Sequence, residues 1–230
     1  MDTDATPKIS VILSTYNNAP TVASSINSIL NQTYKNFELL VIDDGSTDDT
    51  WQVLNAITDR RLKLFRNNKN IGLTKSLNKL ISHSNGMYIA RQDDDDISLP
   101  RRLEKQLSIL CNSDYRICTT RAIVKNTKKT IPGISFHLPT KIIFNFKNPF
   151  IHGTMMIEKS CIDIVGGYDE NFYYAQDYKL FSDLIKNKLY VYQIKEPLYI
   201  LNMEGNISSE KSTEQNYYAK CVKKNIMPNL

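Results

Sequence analysis

The sequence contains no long hydrophobic run: none of its apolar stretches approaches the roughly 20 residues that a membrane-spanning helix requires. Its first ten residues also lack the basic, apolar and small-residue regions that together form a secretory signal. From these two absences we expect a cytoplasmic protein. The net charge of +5 is modest. We interpret the lysine clusters at residues 125–129 and 220–224 as solvated surface, with peripheral contact to the inner face of a membrane as the alternative.

Motifs that commonly bind metals or phosphates are also missing. The four cysteines form no C-x-x-C pair and have no histidine cluster beside them, which argues against a zinc site. Neither the P-loop pattern nor G-x-G-x-x-G follows the first apolar run, so these two glycine-cradled nucleotide sites are excluded. The basic residues are dispersed rather than gathered in a stripe, and we therefore expect no nucleic-acid partner.

What the sequence does contain is an alternation of short apolar runs and amphipathic segments over its first half. Each apolar run has the length and composition of a strand, and each intervening segment carries apolar residues at helical spacing. The predicted strands cover residues 9–13, 39–42, 62–65 and 87–90. This order is typical of βαβ units, and it predicts an α/β fold with a mostly parallel central sheet and helices on both faces.

The second half is less regular. A helix after Pro100 is predicted to lead into a strand at residues 117–124. Residues 126–149 contain three prolines and a glycine, and we expect them to form a long loop or a partly ordered flap. The polar residues from 208 onward are predicted to be a tail. A chain of 230 residues suits one domain.

Two groups of carboxylates are placed where a parallel sheet would present them to a ligand, since open α/β sheets bind ligands beyond the carboxyl ends of their strands. Asp43 and Asp44 end the second predicted strand, and four consecutive aspartates, residues 93–96, follow the fourth. Adjacent negative charges repel one another, and a Mg²⁺ or Mn²⁺ ion, which prefers carboxylate and phosphate oxygens, would offset that repulsion. The alternative that we keep open is a solvated acidic turn before the helix that follows Pro100.

Three further features carry both a functional and a structural interpretation. Tyr16 could stack on a nucleobase while Asp44 accepts a hydrogen bond from the base, or the two could be a buried tyrosine and an Asx turn. Asp177 stands at the predicted start of a helix, where the helix dipole alone favours an acid. Taken alone, His152 is interpreted as a hydrogen-bonded structural histidine.

Six motifs occur together along the chain: ISVILSTYN, VIDDGSTDDT, NIGLTKSLNKLI, ARQDDDDISLP, HGTMMI and GGYDENFYYAQDYKLF. In this order and spacing, over about residues 8–202, the sequence resembles the family 2 glycosyltransferases, inverting enzymes with the A-type nucleotide-sugar fold. The resemblance implies transfer of a sugar from a nucleotide diphosphate, with uridine as the expected base, to a hydroxyl of a glycan or lipid-linked acceptor. It also implies a divalent cation, Mn²⁺ or Mg²⁺, and a role in surface polysaccharide or lipid-linked glycan assembly.

The same resemblance divides the chain and assigns roles to its residues. The donor would be bound by the half at about residues 8–98 and the acceptor by the half at about 99–207, followed by the tail at 208–230. On the nucleotide side would lie Ser14, Thr15, Tyr16, Asp44, Asn70, Lys75, Arg91, Asp93 and Asp94. Asp95 would bind the metal, with Asp96 beside it. Asp177 would be the catalytic base, and the acceptor and donor-sugar side would include His152, Gly153 and Gln176.

One departure from the family pattern bears on activity. Members often carry a basic residue or a histidine after the last strand, in a Y-R-x-H sequence that helps to hold the diphosphate, whereas residues 199–202 here read Tyr-Ile-Leu-Asn. A catalytically silent homologue that binds a nucleotide or a glycan therefore stays open as an alternative. The nearest enzyme alternative is a nucleotidyltransferase, but that class usually carries a glycine-rich basic loop after the first strand, and STYNNAP is neither.

Overall fold

The computed structural model describes residues 9–203 and 211–229, and within them one nine-stranded sheet carries helices on both faces. The strands are β1 (Ile9–Thr15), β2 (Phe37–Asp43), β3 (Leu62–Arg66), β4 (Tyr88–Arg91), β5 (Ile97–Ser98), β6 (Ile117–Val124), β7 (Thr130–Ile131), β8 (Met156–Glu158) and β9 (Val191–Leu201). The helices are α1 (Ala19–Leu30), α2 (Thr50–Asn55), α3 (Leu73–His83), α4 (Arg102–Cys111), α5 (Thr140–Phe144), α6 (Lys159–Val165), α7 (Gln176–Lys186) and α8 (Ser212–Lys224). None of the helices in this described part is both long and apolar enough to cross a membrane.

The order of the strands divides the sheet into two parts. It runs β3-β2-β1-β4-β8-β6-β9-β5, with β7 paired to β6. The strands β1 to β4 are parallel to one another, and β6 and β9 run in the same direction. The short strands β5, β7 and β8 are antiparallel to their neighbours. The sheet is therefore mostly parallel, as predicted, and the reversed strand β8 joins the two parts.

The apolar core lies on both faces of this sheet. Alternate residues of a strand point to opposite faces, so Val11 and Leu39 pack with α1, α2 and α4, whereas Ile12 and Leu40 pack with α3, α6 and α7. All seven residues of β1 and all seven of β2 are buried, as expected for parallel strands covered on both sides. The prediction of helices on both faces is confirmed.

Two segments contain more regular structure than their sequences predict. Residues 126–149, predicted to be a loop or flap, contain β7, a 3-10 turn at Ile134–His137 and α5. The segment predicted to be a polar tail contains α8, whose Tyr218 and Cys221 are buried against the chain before α7. Only a narrow stripe of α8 is apolar, which is why its composition resembles that of a tail. The expected boundary between residues 207 and 208 lies outside the described residues.

Glu38 of β2 is a buried carboxylate that ties three segments together. It accepts hydrogen bonds from Ser10 Oγ at 2.7 Å, Lys63 Nζ at 2.9 Å and the backbone N–H of Asn85 at 2.8 Å. Burial alone would raise the pKa of Glu38, but these donors outweigh burial and lower the pKa from 4.5 to about 2. Because the folded pKa is the lower one, the stabilisation is complete above about pH 4.5 and is lost as the pH falls towards about 2.

We expect Glu38→Gln to lower the free energy of unfolding at neutral pH by about 2 kcal/mol, because the charge-assisted bonds are lost. The variant should also lose less stability than the parent protein between about pH 4.5 and about pH 2. Urea unfolding across this pH range measures both effects. Glu104→Gln, which changes an exposed glutamate paired with Arg101, is the control and should change stability far less. If Glu38→Gln lost as much stability as the parent protein between about pH 4.5 and about pH 2, the lowered pKa of Glu38 would not be the cause of that loss.

Candidate active site

Polar residues collect at the edge of the sheet formed by the carboxyl ends of β1, β2 and β4. These three parallel strands end at Thr15, Asp43 and Arg91, so Tyr16, Asp44 and the four aspartates of residues 93–96 all follow neighbouring strands. Open α/β sheets bind ligands at this edge. The structure joins two of the predicted residues directly, since Thr15 Oγ1 donates a hydrogen bond to Asp94 Oδ2 at 2.6 Å.

Asp44 fixes the loop that leads into α3. Its buried carboxylate accepts hydrogen bonds from Asn67 Nδ2 at 2.8 Å and from the backbone N–H groups of Ile71 at 3.0 Å and Gly72 at 2.9 Å. Gly45 permits the close approach of this loop, because a Cβ there would lie 2.5 Å from the loop backbone. Its predicted role is nucleoside binding; its second role, as the anchor of residues 67–72, has no local signal in the sequence.

The other predicted nucleotide residues differ in exposure. Tyr16 is 45% exposed, so the alternative of a buried tyrosine is excluded. Asn70 accepts a hydrogen bond from the Gly72 N–H at 3.0 Å, beside Asp44. Lys75 is exposed on α3, and no hydrogen bond or ion pair joins it to the carboxylates in the part of the chain that the structure describes. Ser14 is buried in β1.

Asp93 and Asp94 are held from the β1 and β4 side of the site. Arg91, which is buried, donates from Nη2 to Asp93 Oδ1 at 2.6 Å, and the Asp93 side chain stays 28% exposed. Burial raises the pKa of Asp94 to about 6, and the negative charges of Asp95 and Asp93 add to the shift, while the bond from Thr15 opposes it. Asp93 therefore presents an accessible carboxylate that an arginine already orients.

Asp95 and Asp96 are held from the opposite side by the end of β9. The backbone N–H of Asn202 donates to Asp96 Oδ1 at 2.6 Å, and its Nδ2 donates to Asp95 Oδ2 at 3.2 Å. The Tyr199 hydroxyl donates to Asp96 and accepts a bond from the Asp93 N–H at 3.1 Å. Residues 199–202, which lack the family's basic residue, therefore brace the four aspartates of residues 93–96, called the acidic row below.

The donor set fits a hard divalent cation. Burial, followed by repulsion from neighbouring aspartates, raises the pKa of Asp95 and of Asp96. A cation would relieve that repulsion. Sites for Mg²⁺ use one or two carboxylates and complete the coordination shell with substrate phosphates. Within residues 9–203 and 211–229 no group of three or more His, Cys, Asp or Glu side chains forms a metal cage. The assignment of the metal to Asp95 stays a prediction.

The loop that carries His152 and Gly153 packs directly on the acidic row. A Cβ at Gly153 would lie 2.4 Å from both Asp93 Oδ2 and the Tyr199 hydroxyl, so only glycine permits this approach. His152 Nε2 lies 2.7 Å from the Tyr168 hydroxyl, and burial lowers the pKa of the histidine. His152 therefore makes the hydrogen bond expected of a structural histidine, and it lies beside the candidate site.

Asp177 is held by the same segment that carries His152. It stands in the first turn of α7, and Asn148 Nδ2 donates to its Oδ2 at 2.7 Å. The negative charges of Asp93 and Asp177 both act on the pKa of His152 and on that of Tyr168. The loop that carries His152 contacts both acids, since Gly153 packs on Asp93 and Asn148 donates to Asp177. Gln176 is the first residue of α7 and is partly buried.

Several supporting residues were not anticipated from the sequence. Arg102, which is buried, donates to the carbonyl oxygens of Arg91 at 3.0 Å and Gly153 at 2.7 Å, and its guanidinium lies 5.4 Å from the centre of the Tyr199 ring. Asn148 and Tyr199 likewise reach site residues that are distant in sequence. No local pattern signals such contacts, because the sequence around each of these residues is that of an ordinary helix, loop or strand.

Comparison with known sequences identifies relatives that match most of the chain. The family described as Glycosyl transferase family 2 matches residues 10–167. EpsE of Bacillus subtilis (strain 168) is 36% identical over 217 residues, which cover 90% of this chain and 77% of EpsE. The Escherichia coli UDP-Glc:alpha-D-GlcNAc-diphosphoundecaprenol beta-1,3-glucosyltransferase WfgD is 30% identical over 182 residues, which cover 78% of this chain and 70% of WfgD.

Solved structures share the fold. Staphylococcus aureus TarS matches with a TM-score of 0.76 and 20% identity, over 94% of this chain but 39% of the longer TarS chain. TarS 1–349 in complex with UDP matches with the same TM-score, over 96% of this chain and 67% of TarS 1–349. The mannosyltransferase PcManGT from Pyrobaculum calidifontis, in complex with GDP-Man and Mn²⁺, has a TM-score of 0.75 at 17% identity, over 96% of this chain and 66% of its own. The predicted A-type fold is confirmed.

Proposed function

Since the chain belongs to glycosyl transferase family 2 and is a glycosyltransferase, we propose that it moves a sugar from UDP, with inversion, to a hydroxyl of a lipid-linked glycan at the cytoplasmic side of a membrane. The observation that carries the proposal is that one loop, residues 148–153, contacts two acidic sites, because Gly153 packs on Asp93 and Asn148 donates to Asp177. Residues 93–96 form one of them and Asp177 the other. Transfer needs both, one to hold the cation that would bind the diphosphate and one to accept the proton.

Uridine is proposed as the base because of the residues at the ends of β1 and β2. Tyr16 offers an exposed ring for stacking, and Asp44 offers a fixed carboxylate that can accept a hydrogen bond from the imide of the base. The UDP complex of TarS and the UDP-Glc donor named for WfgD support the same choice. WfgD is also named for a diphosphoundecaprenol-linked acceptor, which supports the lipid-linked class of acceptor.

A divalent cation is proposed to bind at Asp95, with Asp93 on its ribose side. A bound Mn²⁺ or Mg²⁺ supplies Lewis-acid neutralisation of the charge on the diphosphate leaving group. Asp95 is the better candidate ligand because its hydrogen bond from Asn202 Nδ2 is long, at 3.2 Å. Asp96, by contrast, accepts a bond of 2.6 Å from the Asn202 N–H. The Mn²⁺ complex of PcManGT supports metal use in a protein of the same fold.

Asp177 is proposed as the base that accepts the proton of the acceptor hydroxyl. The oxygen of that hydroxyl attacks the anomeric carbon as the bond from this carbon to the diphosphate oxygen breaks, so the configuration inverts. The proton passes to Asp177, and the nucleotide leaves as the diphosphate with the bonding electron pair. Asn148 holds Asp177 by a bond to one oxygen, Oδ2. Such positioned proton transfer typically contributes about 10²- to 10⁴-fold to a rate.

The proposal is tested by thermal unfolding with UDP, GDP or CMP, each in the presence of Mn²⁺, Mg²⁺ or EDTA. We expect UDP with either metal to raise Tm, and UDP with EDTA to have little effect. A ligand at about 100 times its Kd adds about 2.7 kcal/mol to the free energy of unfolding, which is readily measured. Stabilisation by GDP in place of UDP would correct the donor class. No shift with any nucleotide would count against the function.

A catalytically silent homologue is the second candidate, and one observation favours it. The end of β9, where family members often carry a basic residue or a histidine, carries Asn202, and this residue is engaged with Asp95 and Asp96. A silent homologue would show the metal-dependent nucleotide shift but would release no UDP when supplied with a UDP-sugar and a lipid-linked acceptor. Release of UDP that depends on the acceptor would exclude it.

A further inference from the structure

The positive charge of the chain is concentrated in one segment. Residues 115–157 contain seven lysine and arginine residues and no aspartate or glutamate. The rest of the chain holds 22 basic and 24 acidic residues, so outside this segment the protein is slightly acidic. The middle of the segment, residues 126–149, is the flap described above. Its Lys128, Lys129 and Lys147 are exposed.

The outer side of the flap is apolar. Four large side chains at every fourth position are exposed, namely Ile134, Leu138, Ile142 and Phe146. Ile134 is 86% exposed and Phe146 is 71% exposed, more than any other large hydrophobic side chain in the described residues. Single exposed apolar residues are ordinary on a protein surface, but several in one segment mark a contact surface.

Other side chains hold the flap against the protein and leave this row outside. Phe136 packs under the guanidinium of Arg121, which also donates to the Pro132 carbonyl oxygen at 3.1 Å. Phe144 packs on Phe150 and on Tyr178 of α7, with ring centres 6.0 Å and 4.9 Å apart. The flap thus has aromatic side chains that anchor it and exposed apolar side chains that no other described residue of the chain covers.

We propose that the outer side of the flap docks on the surface of an anionic lipid bilayer. Segments that lie at a membrane interface combine apolar side chains, which enter the boundary of the acyl chains, with lysines that contact anionic head groups. Ile134 and Phe146 supply the first element, and Lys128, Lys129 and Lys147 supply the second. A second copy of the chain fits less well, because a symmetric contact would bring two sets of lysines together without an acid in the segment to pair with them.

The flap connects this surface to the candidate active site. A cleft of about 360 Å³ beside the flap is lined by residues that include Lys129, Ile131, Lys147 and Asn148. Asn148 is the residue that donates to Asp177. The link to lipid-linked acceptors rests on the proposed function: docking by the flap would bring the predicted base to the membrane, where such an acceptor resides. The docking itself rests only on the charge and exposure of the flap.

Vesicle flotation with the full chain tests the docking. Vesicles of phosphatidylglycerol mixed with phosphatidylcholine are compared with vesicles of phosphatidylcholine alone. We expect the parent protein to float with the anionic vesicles, and we expect the double variant Ile134→Ser with Phe146→Ser to bind them about tenfold more weakly or worse. Lys128→Glu with Lys129→Glu should remove the preference for anionic lipid. Both variants change exposed side chains and should fold normally.

Ile164→Ser is the matched control, because Ile164 is 53% exposed on α6, outside the flap. It should bind vesicles as the parent does. Failure of the parent to float, or equal binding by the variant with Ile134→Ser and Phe146→Ser, would overturn the proposal. The proposal would also be overturned if size exclusion showed that the parent is a dimer, and that this variant is a monomer that still binds vesicles. Nucleotide-dependent stabilisation is measured on the same samples, so a failure of the proposed function is distinguished from a failure of docking.

Discussion

Replacing Asp177 with asparagine should lower kcat by about 10²- to 10⁴-fold and leave the metal-dependent stabilisation by UDP unchanged. Asparagine has nearly the shape of aspartate and can keep a hydrogen bond with Asn148, which now donates to Oδ2 at 2.7 Å. It cannot accept a proton from the acceptor hydroxyl. The donor side lies on residues 93–96 and does not contact Asp177 directly, so nucleotide affinity should persist. Steady-state release of UDP and thermal unfolding measure the two quantities.

Asp183 provides the matched control for this experiment. It is an acid on the same helix, and it pairs with Lys179 rather than with a site residue. Asp183→Asn should change Tm slightly and leave kcat near that of the parent protein. Full turnover in Asp177→Asn would remove Asp177 from the base role and would direct attention to other groups near the acceptor, of which His152 is the first to test.

The second large effect concerns metal binding by Asp95. Its neighbours in the acidic row each have a bond of 2.6 Å, to Arg91, to Thr15 or to the backbone of Asn202, whereas the contact of Asp95 with the Asn202 amide is 3.2 Å. Asp95 is therefore the least engaged of the four. Asp95→Asn should abolish the stabilisation that UDP gives with Mn²⁺, a loss of about 2.7 kcal/mol under the conditions described above.

The control for Asp95 is Asp114→Asn, which removes one negative charge from an exposed position after α4. It should retain the full shift with UDP and Mn²⁺. Because four aspartates are consecutive, the experiment also tests which of them binds the cation. If Asp95→Asn keeps the shift and its dependence on EDTA, another carboxylate of residues 93–96 holds the cation and the assignment made from the sequence is wrong.

Much of the fold could be predicted because β1 and β2 carry a strong local signal. They are largely apolar and buried on both faces, and α1, the helix between them, shows apolar residues at helical spacing. Parallel strands bring their carboxyl ends to one edge, so residues that end different strands are predicted to meet. The bond between Thr15 and Asp94, 79 residues apart, is an outcome of that rule.

The rest of the site could not be predicted because it depends on packing between distant segments. Asn148 and Asp177 are 29 residues apart, and nothing near Asn148 in the sequence distinguishes it from a loop asparagine. The flap was expected to be irregular because of its prolines, yet Phe136 and Phe144 anchor it through contacts with β6 and α7. In α8 the buried residues are too few to stand out from a polar composition.

The bracing of the acidic row by β9 has a consequence for the newly made protein. The Tyr199 hydroxyl accepts a hydrogen bond from the backbone N–H of Asp93, which is 106 residues earlier in the chain. At about 5–20 residues per second, the ribosome needs roughly 5–20 s to synthesise that interval. During this time β1 to β4 are complete, but four neighbouring carboxylates have no tyrosine or asparagine to hold them. A nascent chain would therefore gain its nucleotide site late, when β9 emerges, although most of the residues of that site are among the first to be synthesised.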